Sequence, residues 1–454
     1  MKVTLVFPRF KYMSGDPPLG LAYLASVLRN STDVDVSILD TTFHPTMDFI
    51  CSFLDRYKPD IVGVYFWTPG FNDGLKVVNK AKERDCFTVA GGPHATILPE
   101  SLIDHVDAIV LGEGEYTFTD LIQKYQKGNM CEVAGIWYWE NSKVIKTKKR
   151  EQAINLDELP YPARDLLDMK KYIRTWHLLD NIDPKLDGTN FVASRGCSFN
   201  CSFCQPTLKE LFGYKIRIRS PVHIIKEIAL VKEEYKIDAF NFVDDTLTAN
   251  KKWVTDFCTR LSDSGLDLLW SCSTRIDMIN EKLMRVMYDA GLRKLQIGIE
   301  SGSQRILNDI YHKGIKLDDV RKTLSSAKRI GINTMTFFML GAPTEIREEA
   351  EQTIRFARSL DADEATFSIT SPLPGTELYE YVKRRYHISN NYDDFDYYGK
   401  RAFNGELSFK QLRWLQKKAV LYFYTHPCRW NYVLKHLVSP KGIHKMLIKL
   451  KRFM

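Results

Sequence analysis

Residues 190–204 read NFVASRGCSFNCSFC, a short strand-like run followed by three cysteines, Cys197, Cys201 and Cys204. A structural zinc site takes four protein ligands, and a disulfide framework takes an even number of cysteines. A [4Fe–4S] cluster is also held by cysteine thiolates, and three of them leave one iron without a protein ligand. The triad therefore predicts such a cluster, and the alternative is three buried structural cysteines.

The rest of the composition indicates a large globular protein of the cytoplasm. Of 454 residues, 44% are hydrophobic and 26% are charged, enough for two or three domains. The sequence begins with too short an apolar run for a signal peptide, and no window resembles a membrane span. A net charge of +8 is mild for this length and does not indicate a nucleic-acid partner. The remaining six cysteines are scattered, as in proteins of a reducing compartment.

The first part of the chain alternates between strand and helix. From Val3 to about Tyr125, runs such as VTLVF and DIVGVYF alternate with amphipathic segments such as LGLAYLASVLRN. This pattern predicts an α/β fold with a doubly wound, Rossmann-like sheet, whose ligand lies at the carboxyl ends of the strands. GIWYWENSKVIKTKK predicts a small hairpin. We place this domain at residues 1–150 and a proline-containing linker at 151–186.

The alternation resumes at the strand that precedes the cysteines. Six strand–helix units follow between about Asn190 and Thr370, too few for a closed eight-stranded barrel. They predict an open (β/α)6 partial TIM barrel at residues 187–385, with its chemistry at the carboxyl ends of the strands, where the cysteines fall. One of its helices should begin with Ser220 as N-cap and Pro221 as first helical residue. Residues 386–454 are aromatic, helical and basic.

The order Cys197, Cys201, Phe203, Cys204 resembles the signature of the radical S-adenosylmethionine (radical SAM) enzymes, and the chain resembles their subgroup with an N-terminal cobalamin-binding domain. The resemblance covers about Met1 to Tyr381. It implies that the amino and carboxylate groups of SAM chelate the fourth iron. One-electron reduction then cleaves SAM to methionine and a 5′-deoxyadenosyl radical. A fourth cysteine would block this step.

The resemblance also implies SAM contacts at the ends of four barrel strands. Asp244 and Asp245 in FVDDTLT would bond the methionine amino group, and Arg275 in STRID would pair with the methionine carboxylate. Glu300 in GIESGS would bond ribose hydroxyls, and backbone groups near Gly341 in MLGAPTE would frame the adenine. The alternative for each acid is that it caps the next helix. No further catalytic residue is identified.

For the N-terminal domain, the resemblance implies that the nucleotide tail of cobalamin passes close to Gly91 and Gly92. Other cobalamin domains carry a histidine in the loop after the first strand, and the loop from Phe7 to Gly20 has none. We interpret His44 and His94 as solvated or capping residues. Cobalamin should therefore bind without a histidine below the cobalt. The alternative is a domain that no longer binds a corrin.

These features favour a cobalamin-dependent radical SAM methyltransferase that methylates an unactivated carbon of an unknown substrate. The first alternative is a radical cyclase, oxidase or rearrangement enzyme acting on a tetrapyrrole or lipid. The second is an iron–sulfur electron carrier or binding protein without catalysis. The expected partners are a small-molecule or lipid-like substrate and a reductant such as flavodoxin or ferredoxin. The tail SPKGIHKMLIKLKRFM predicts a basic amphipathic helix that contacts a membrane surface or docks on the protein.

Overall fold

The computed structural model of the chain describes residues 1–11, 13–152, 155–396 and 401–430. The first sheet contains β1 (Lys2–Phe7), β2 (Asp35–Asp40), β3 (Ile61–Tyr65), β4 (Phe87–Gly91), β5 (Ala108–Val110), β6 (Ile136–Glu140) and β7 (Lys143–Lys146). Its helices are α1 (Leu19–Ser31), α2 (Met47–Tyr57), α3 (Phe71–Lys82), α4 (Pro93–Ile97) and α5 (Gly114–Tyr125).

The first sheet has the order β2-β1-β3-β4-β5-β6-β7. Strands β1 to β5 are parallel, while β6 and β7 form the expected hairpin and extend the sheet antiparallel to β5. The order 2-1-3-4-5 is that of flavodoxin-like folds, in which ligands bind beyond the carboxyl ends of the strands. Both faces are buried. Val3 and Leu5 of β1 lie in one apolar cluster, and Val6 lies in a second cluster on the other face.

The second sheet consists of six parallel strands in the order β15-β14-β13-β12-β11-β8. They are β8 (Gly188–Phe191), β11 (Ala239–Phe242), β12 (Leu269–Thr274), β13 (Leu292–Glu300), β14 (Asn333–Leu340) and β15 (Glu364–Ile369). Between β8 and β11, β9 (Ser194–Arg195) pairs with β10 (Arg217–Ile218). Because β8 and β15 lie at the two edges, the barrel is open, as predicted.

Helices cover the outside of this partial barrel. They are α8 (Pro221–Tyr235), α9 (Lys251–Asp263), α10 (Glu281–Asp289), α11 (Leu317–Ile330), α12 (Arg347–Ser359), α13 (Glu377–Arg385) and α14 (Phe409–Tyr424), and α6 (Met169–Thr175) precedes β8. The short helix α7 (Thr207–Phe212) follows the cysteines and contacts α4 of the first domain. Helix α8 begins as the sequence predicts: the Ser220 hydroxyl accepts a hydrogen bond from the amide of His223, and Pro221 is the first helical residue. Its buried face includes Ile224, Ile228 and Val231.

The loop between β1 and α1 contacts the barrel. Asn190 of β8 donates from Nδ2 to Asp16 Oδ1 at 2.7 Å. A Cβ atom on Gly15 would lie 2.6 Å from the Cα atom of Trp176, so the loop backbone packs directly on the segment that enters β8. This loop therefore helps to hold the two domains together.

The C-terminal part that the structure describes ends at residue 430, after α14. Helix α14 packs against α12 and β15. The basic helix predicted in residues 439–454 lies outside the described residues. Within the described ranges, no helix is both long and apolar enough to cross a membrane.

Candidate functional site

A cavity of about 670 Å³ lies where the carboxyl ends of the two sheets face each other. One wall belongs to the first domain and includes Tyr65, at the end of β3. The opposite wall belongs to the barrel and includes Val243, after β11. The lining is mostly apolar. Six residues predicted from the sequence share it: Gly91, Gly92, Phe203, Cys204, Asp244 and Asp245.

The cysteine loop is held in place by backbone hydrogen bonds. The amide of Ser202 donates to the carbonyl of Tyr311 at 3.0 Å, and the Ser202 hydroxyl donates to the carbonyl of Ile310 at 2.5 Å. The amide of Leu378, in α13, donates to the carbonyl of Ser202 at 2.9 Å. Ser202 is therefore a fixed point between Cys201 and Cys204, tied to two other parts of the barrel.

The three thiols differ in exposure. Cys201 is buried, whereas Cys197 and Cys204 are partly exposed, and Cys204 lines the cavity. Burial raises the pKa of Cys204 well above its ordinary value, and burial also raises the pKa of Cys197. Bound metal keeps such thiols deprotonated. Within the described ranges, no three His, Cys, Asp or Glu side chains converge on a point that would hold a single metal ion.

Arg275 lies beside the cysteine loop, and its guanidinium is held by protein groups. Its Nη1 donates to Cys201 Sγ at 3.2 Å, and its Nε and Nη2 donate to the two carboxylate oxygens of Asp277, each at 2.9 Å. The guanidinium carbon lies 3.8 Å from the ring centroid of Phe199. Arg275 does not line the cavity among the described residues.

The two adjacent aspartates after β11 have different surroundings. Asp244 is buried: its Oδ1 accepts from the Ser194 hydroxyl at 2.5 Å, and its Oδ2 accepts from the amide of Ala193 at 3.1 Å. Burial raises the pKa of Asp244 to about 6. Asp245 is exposed to the cavity. Asp244 therefore fixes the chain that leads into the cysteine loop, while Asp245 is available to a ligand.

Glu300 is buried at the end of β13 and pairs with Lys313, whose Nζ lies 2.8 Å from Glu300 Oε1. Lys313 Nζ also lies 5.6 Å from the ring centroid of Phe203. Glu300 has a positive φ of 74°, which a residue with a side chain rarely adopts. Such a strained backbone at a strand end is typical of functional sites. No sequence pattern had indicated Lys313.

Gly341 is separated from the cavity. Its amide donates to Glu345 Oε2 at 2.5 Å, and a Cβ atom on it would lie 2.7 Å from Leu412 Cδ1 of α14. Burial raises the pKa of Glu345 to about 8. The structure therefore places Gly341 in a packed turn, and it does not bring this residue together with the cavity-lining set.

Glycines form part of the wall on the side of the first domain. Gly91 is the last residue of β4, and a Cβ atom on it would meet no atom within 4 Å. Gly92 has a φ of 99°, and a Cβ atom on it would lie 2.8 Å from the carbonyl oxygen of Phe66. Gly91 therefore provides open space on the cavity side, whereas Gly92 is required by its backbone conformation.

The two histidines near this domain have different positions. His44 is exposed, and its Nε2 lies 3.1 Å from Lys171 Nζ, which agrees with the predicted solvated residue. The same prediction is wrong for His94, which is buried between the hydroxyls of Thr68 and Ser101, each 3.0 Å from a ring nitrogen. Burial lowers its pKa to about 4. Because both nitrogens are occupied, His94 does not offer a free ligand atom.

A buried ion cluster joins the domains at the cavity wall. Arg195, two residues before Cys197, donates from Nη1 to Glu113 Oε1 at 2.7 Å and from Nη2 to Glu115 Oε1 at 2.5 Å. Arg217 pairs with both oxygens of Glu113 at 2.8 Å. Sequence reasoning missed this cluster because its members come from separate domains, although the motif LGEGEYTF contains both glutamates.

The residues present fit both cofactors that the resemblance implies. Three thiols lie on one loop, and the side chains of Arg275 and Lys313 place positive charge near the negative charge that bound thiolates would carry. On the opposite wall, a Cβ atom added to Gly20 or Gly91 would meet no atom within 4 Å, which leaves room for a bulky apolar ligand to approach the backbone.

Comparisons with known proteins match the barrel and the first domain to two different family models. The model of the radical SAM superfamily matches residues 191–357, and the model of the B12 binding domain matches residues 15–122. An uncharacterized methyltransferase of Pyrococcus horikoshii is 37% identical over 444 residues, which cover 94% of this chain and 93% of the relative. The anaerobic magnesium-protoporphyrin IX monomethyl ester cyclase of Rubrivivax gelatinosus is 29% identical over 398 residues, covering 84% of this chain and 70% of the relative.

Among solved structures, the radical SAM methyltransferase TsrM from Kitasatospora setae, with cobalamin and a [4Fe–4S] cluster bound, shares the fold with a TM-score of 0.72. Its sequence identity is 15%, and the match covers 98% of this chain and 90% of that chain. This likeness shows the fold, and the radical SAM and B12-binding domain matches give the cofactors as a [4Fe–4S] cluster, SAM and cobalamin. The chain belongs to the family of cobalamin-dependent radical SAM methyltransferases.

Proposed function

We propose that this enzyme methylates an unactivated carbon of a small molecule, with its cluster on Cys197, Cys201 and Cys204. One observation carries the proposal: a single cavity reaches from Cys204 to the glycines at the end of β4. When bound, the cluster and SAM supply a hydrogen-abstracting radical, and cobalamin supplies the methyl group. A substrate between the two walls would be within reach of both.

The side chains around the cavity then have separate roles. Asp245 and Phe203 line the cavity next to Cys204, where they would contact SAM. Asp244 orients the chain before the cysteine loop through its hydrogen bonds to Ala193 and Ser194. Glu300, paired with Lys313, would bond the SAM ribose. Gly91 would allow the corrin to approach the sheet, and Gly92 would shape the turn beside it.

The mostly apolar lining supports this chemistry, because it excludes water from the neighbourhood of the reacting carbon. Radical SAM enzymes use a small-molecule substrate and a reductant. For this chain we propose a flavodoxin or ferredoxin as the reductant. Ring formation or oxidation, as named for the cyclase relative that is 29% identical, is the second candidate.

Product analysis separates these two reactions. The reconstituted enzyme is incubated anaerobically with reductant, hydroxocobalamin and SAM that carries a deuterated methyl group. Reduced cobalamin would accept the methyl group of one SAM, so each bound cobalamin should yield one S-adenosylhomocysteine and gain one deuterated methyl group even without the natural substrate, while uncoupled cleavage of further SAM releases 5′-deoxyadenosine. Formation of 5′-deoxyadenosine with neither S-adenosylhomocysteine nor a deuterated methyl group on the cobalamin would contradict methyl transfer and support the cyclase-like reaction. Cys201→Ala is the control, because it should release no 5′-deoxyadenosine.

A further inference from the structure

Arg275 donates a hydrogen bond directly to a sulfur of the cysteine triad: Nη1 lies 3.2 Å from Cys201 Sγ. The side chain is buried, being 8% exposed, so its charge is weakly screened by solvent. Hydrogen bonds from charged donors are stronger than neutral ones. The Cys201 sulfur is therefore under the direct influence of a guanidinium cation.

The other contacts of Arg275 hold it in this position. Its Nη2 donates to the carbonyl of Lys313 at 2.7 Å as well as to Asp277, and Phe199 covers the planar face. The Asp277 carboxylate takes the bidentate geometry that a SAM carboxylate would otherwise occupy. The predicted pairing of Arg275 with SAM would require these bonds to break.

We infer that Arg275 is a positioning residue that donates to the Cys201 thiolate and raises the reduction potential of the cluster, with Asp277 holding it in place. The inference rests on the proposed assignment of the cluster to the three cysteines. A positive donor at a ligand sulfur favours the reduced cluster, which carries one more negative charge. Asp277 partly offsets this effect, and its side chain is 36% exposed, so its influence is more strongly screened.

The test is an EPR-monitored redox titration of the reconstituted protein without SAM. Arg275→Gln should lower the midpoint potential of the cluster, and Arg275→Lys should restore part of the shift by returning the charge. Asp277→Asn should raise the potential, because the guanidinium charge is then less compensated. The opposite signs distinguish a charge effect from general disturbance of the loop. Arg260→Gln is the matched control, since Arg260 pairs with Asp256 on the exposed face of α9.

A second measurement on the same variants is SAM affinity by equilibrium dialysis. For Arg275→Gln we expect Kd to change by less than about threefold, because Arg275 is committed to protein partners. An unchanged potential together with a Kd raised by about tenfold or more would overturn the inference and restore the SAM-carboxylate role.

The failure of the inference is distinguishable from failure of the proposed function. If the wild-type protein binds no iron and sulfide, the cluster assignment itself is wrong. If Arg275→Gln fails to hold a cluster, the test rests on the cluster potential of Asp277→Asn. A potential above that of the wild type supports the inference, and an unchanged potential overturns it.

Discussion

Replacing Arg195 with methionine tests whether the ion cluster holds the two domains together at the cavity. Arg195 is 11% exposed on its side chain and makes bonds of 2.7 and 2.5 Å to Glu113 and Glu115. Methionine keeps much of the apolar stem but removes the charge and both bonds. Glu113 retains Arg217, whereas Glu115, at 5% exposure, loses its guanidinium partner.

The expected loss of unfolding free energy is set by the Glu115 carboxylate, which stays buried without its guanidinium partner. Removing one partner of a buried ion pair destabilises by about 3–5 kcal/mol because it leaves an uncompensated charge. The equivalent change in a partly exposed pair, Arg150→Met opposite Asp120, should cost about 0–1 kcal/mol. Anaerobic urea unfolding of both variants, prepared with equal iron content, gives the comparison.

The cost should also depend on pH. Burial raises the pKa of Glu115, but the charge and hydrogen bond of Arg195 outweigh it and hold the pKa below its ordinary value. In the wild type, this stabilisation is present above the ordinary pKa of Glu and is lost as the pH falls below it. In Arg195→Met burial is opposed only by the charge of Arg217 and a backbone hydrogen bond, so the pKa of Glu115 rises and protonation relieves the penalty. The difference in unfolding free energy between wild type and variant should therefore shrink as the pH falls from about 7.5 toward the ordinary pKa of Glu.

Two results would refute this reasoning. Equal unfolding free energies for Arg195→Met and Arg150→Met would show that the buried cluster does not stabilise the interface. A pH-independent difference would show that Glu115 is not the group left uncompensated.

Further predictions concern cobalamin. A side chain on Gly91 would fill the open space that the corrin is proposed to occupy, so Gly91→Leu should abolish cobalamin retention and keep the cluster. The control Phe87→Leu, at the start of the same strand, should retain both cofactors. Equal corrin content in the two variants would remove Gly91 from the site. Cobalamin bound to the wild type should show the absorbance of cobalt without a histidine below it, since residues 7–20 contain none and both nitrogens of His94 are occupied; a histidine-ligated spectrum would contradict this.

The fold could be predicted from the sequence because its determinants are local and periodic. The strand and helix alternation predicts both sheets, and the Ser220–Pro221 pair defines the start of α8. The cysteine triad is also local, since all three thiols lie on one loop. Each of these features needs only residues close in the chain.

What the sequence did not predict depends on contacts between distant segments. Arg275 is 74 residues from Cys201, and Arg195 is 80 residues from Glu115. The burial of His94 depends on Thr68, 26 residues away. The sequence around a strand-end arginine does not indicate whether its partner is a ligand or an aspartate. Only the folded arrangement distinguishes these two partners.

The most direct test of the central claim is release of 5′-deoxyadenosine from SAM under anaerobic reduction with dithionite. We predict release by the wild type and none by Cys204→Ala, because Cys204 is both a proposed cluster ligand and part of the cavity wall. Cys428→Ala is the control, since this exposed cysteine lies outside the triad. Release by Cys204→Ala at the wild-type rate would contradict the proposed cluster and its role in cleaving SAM.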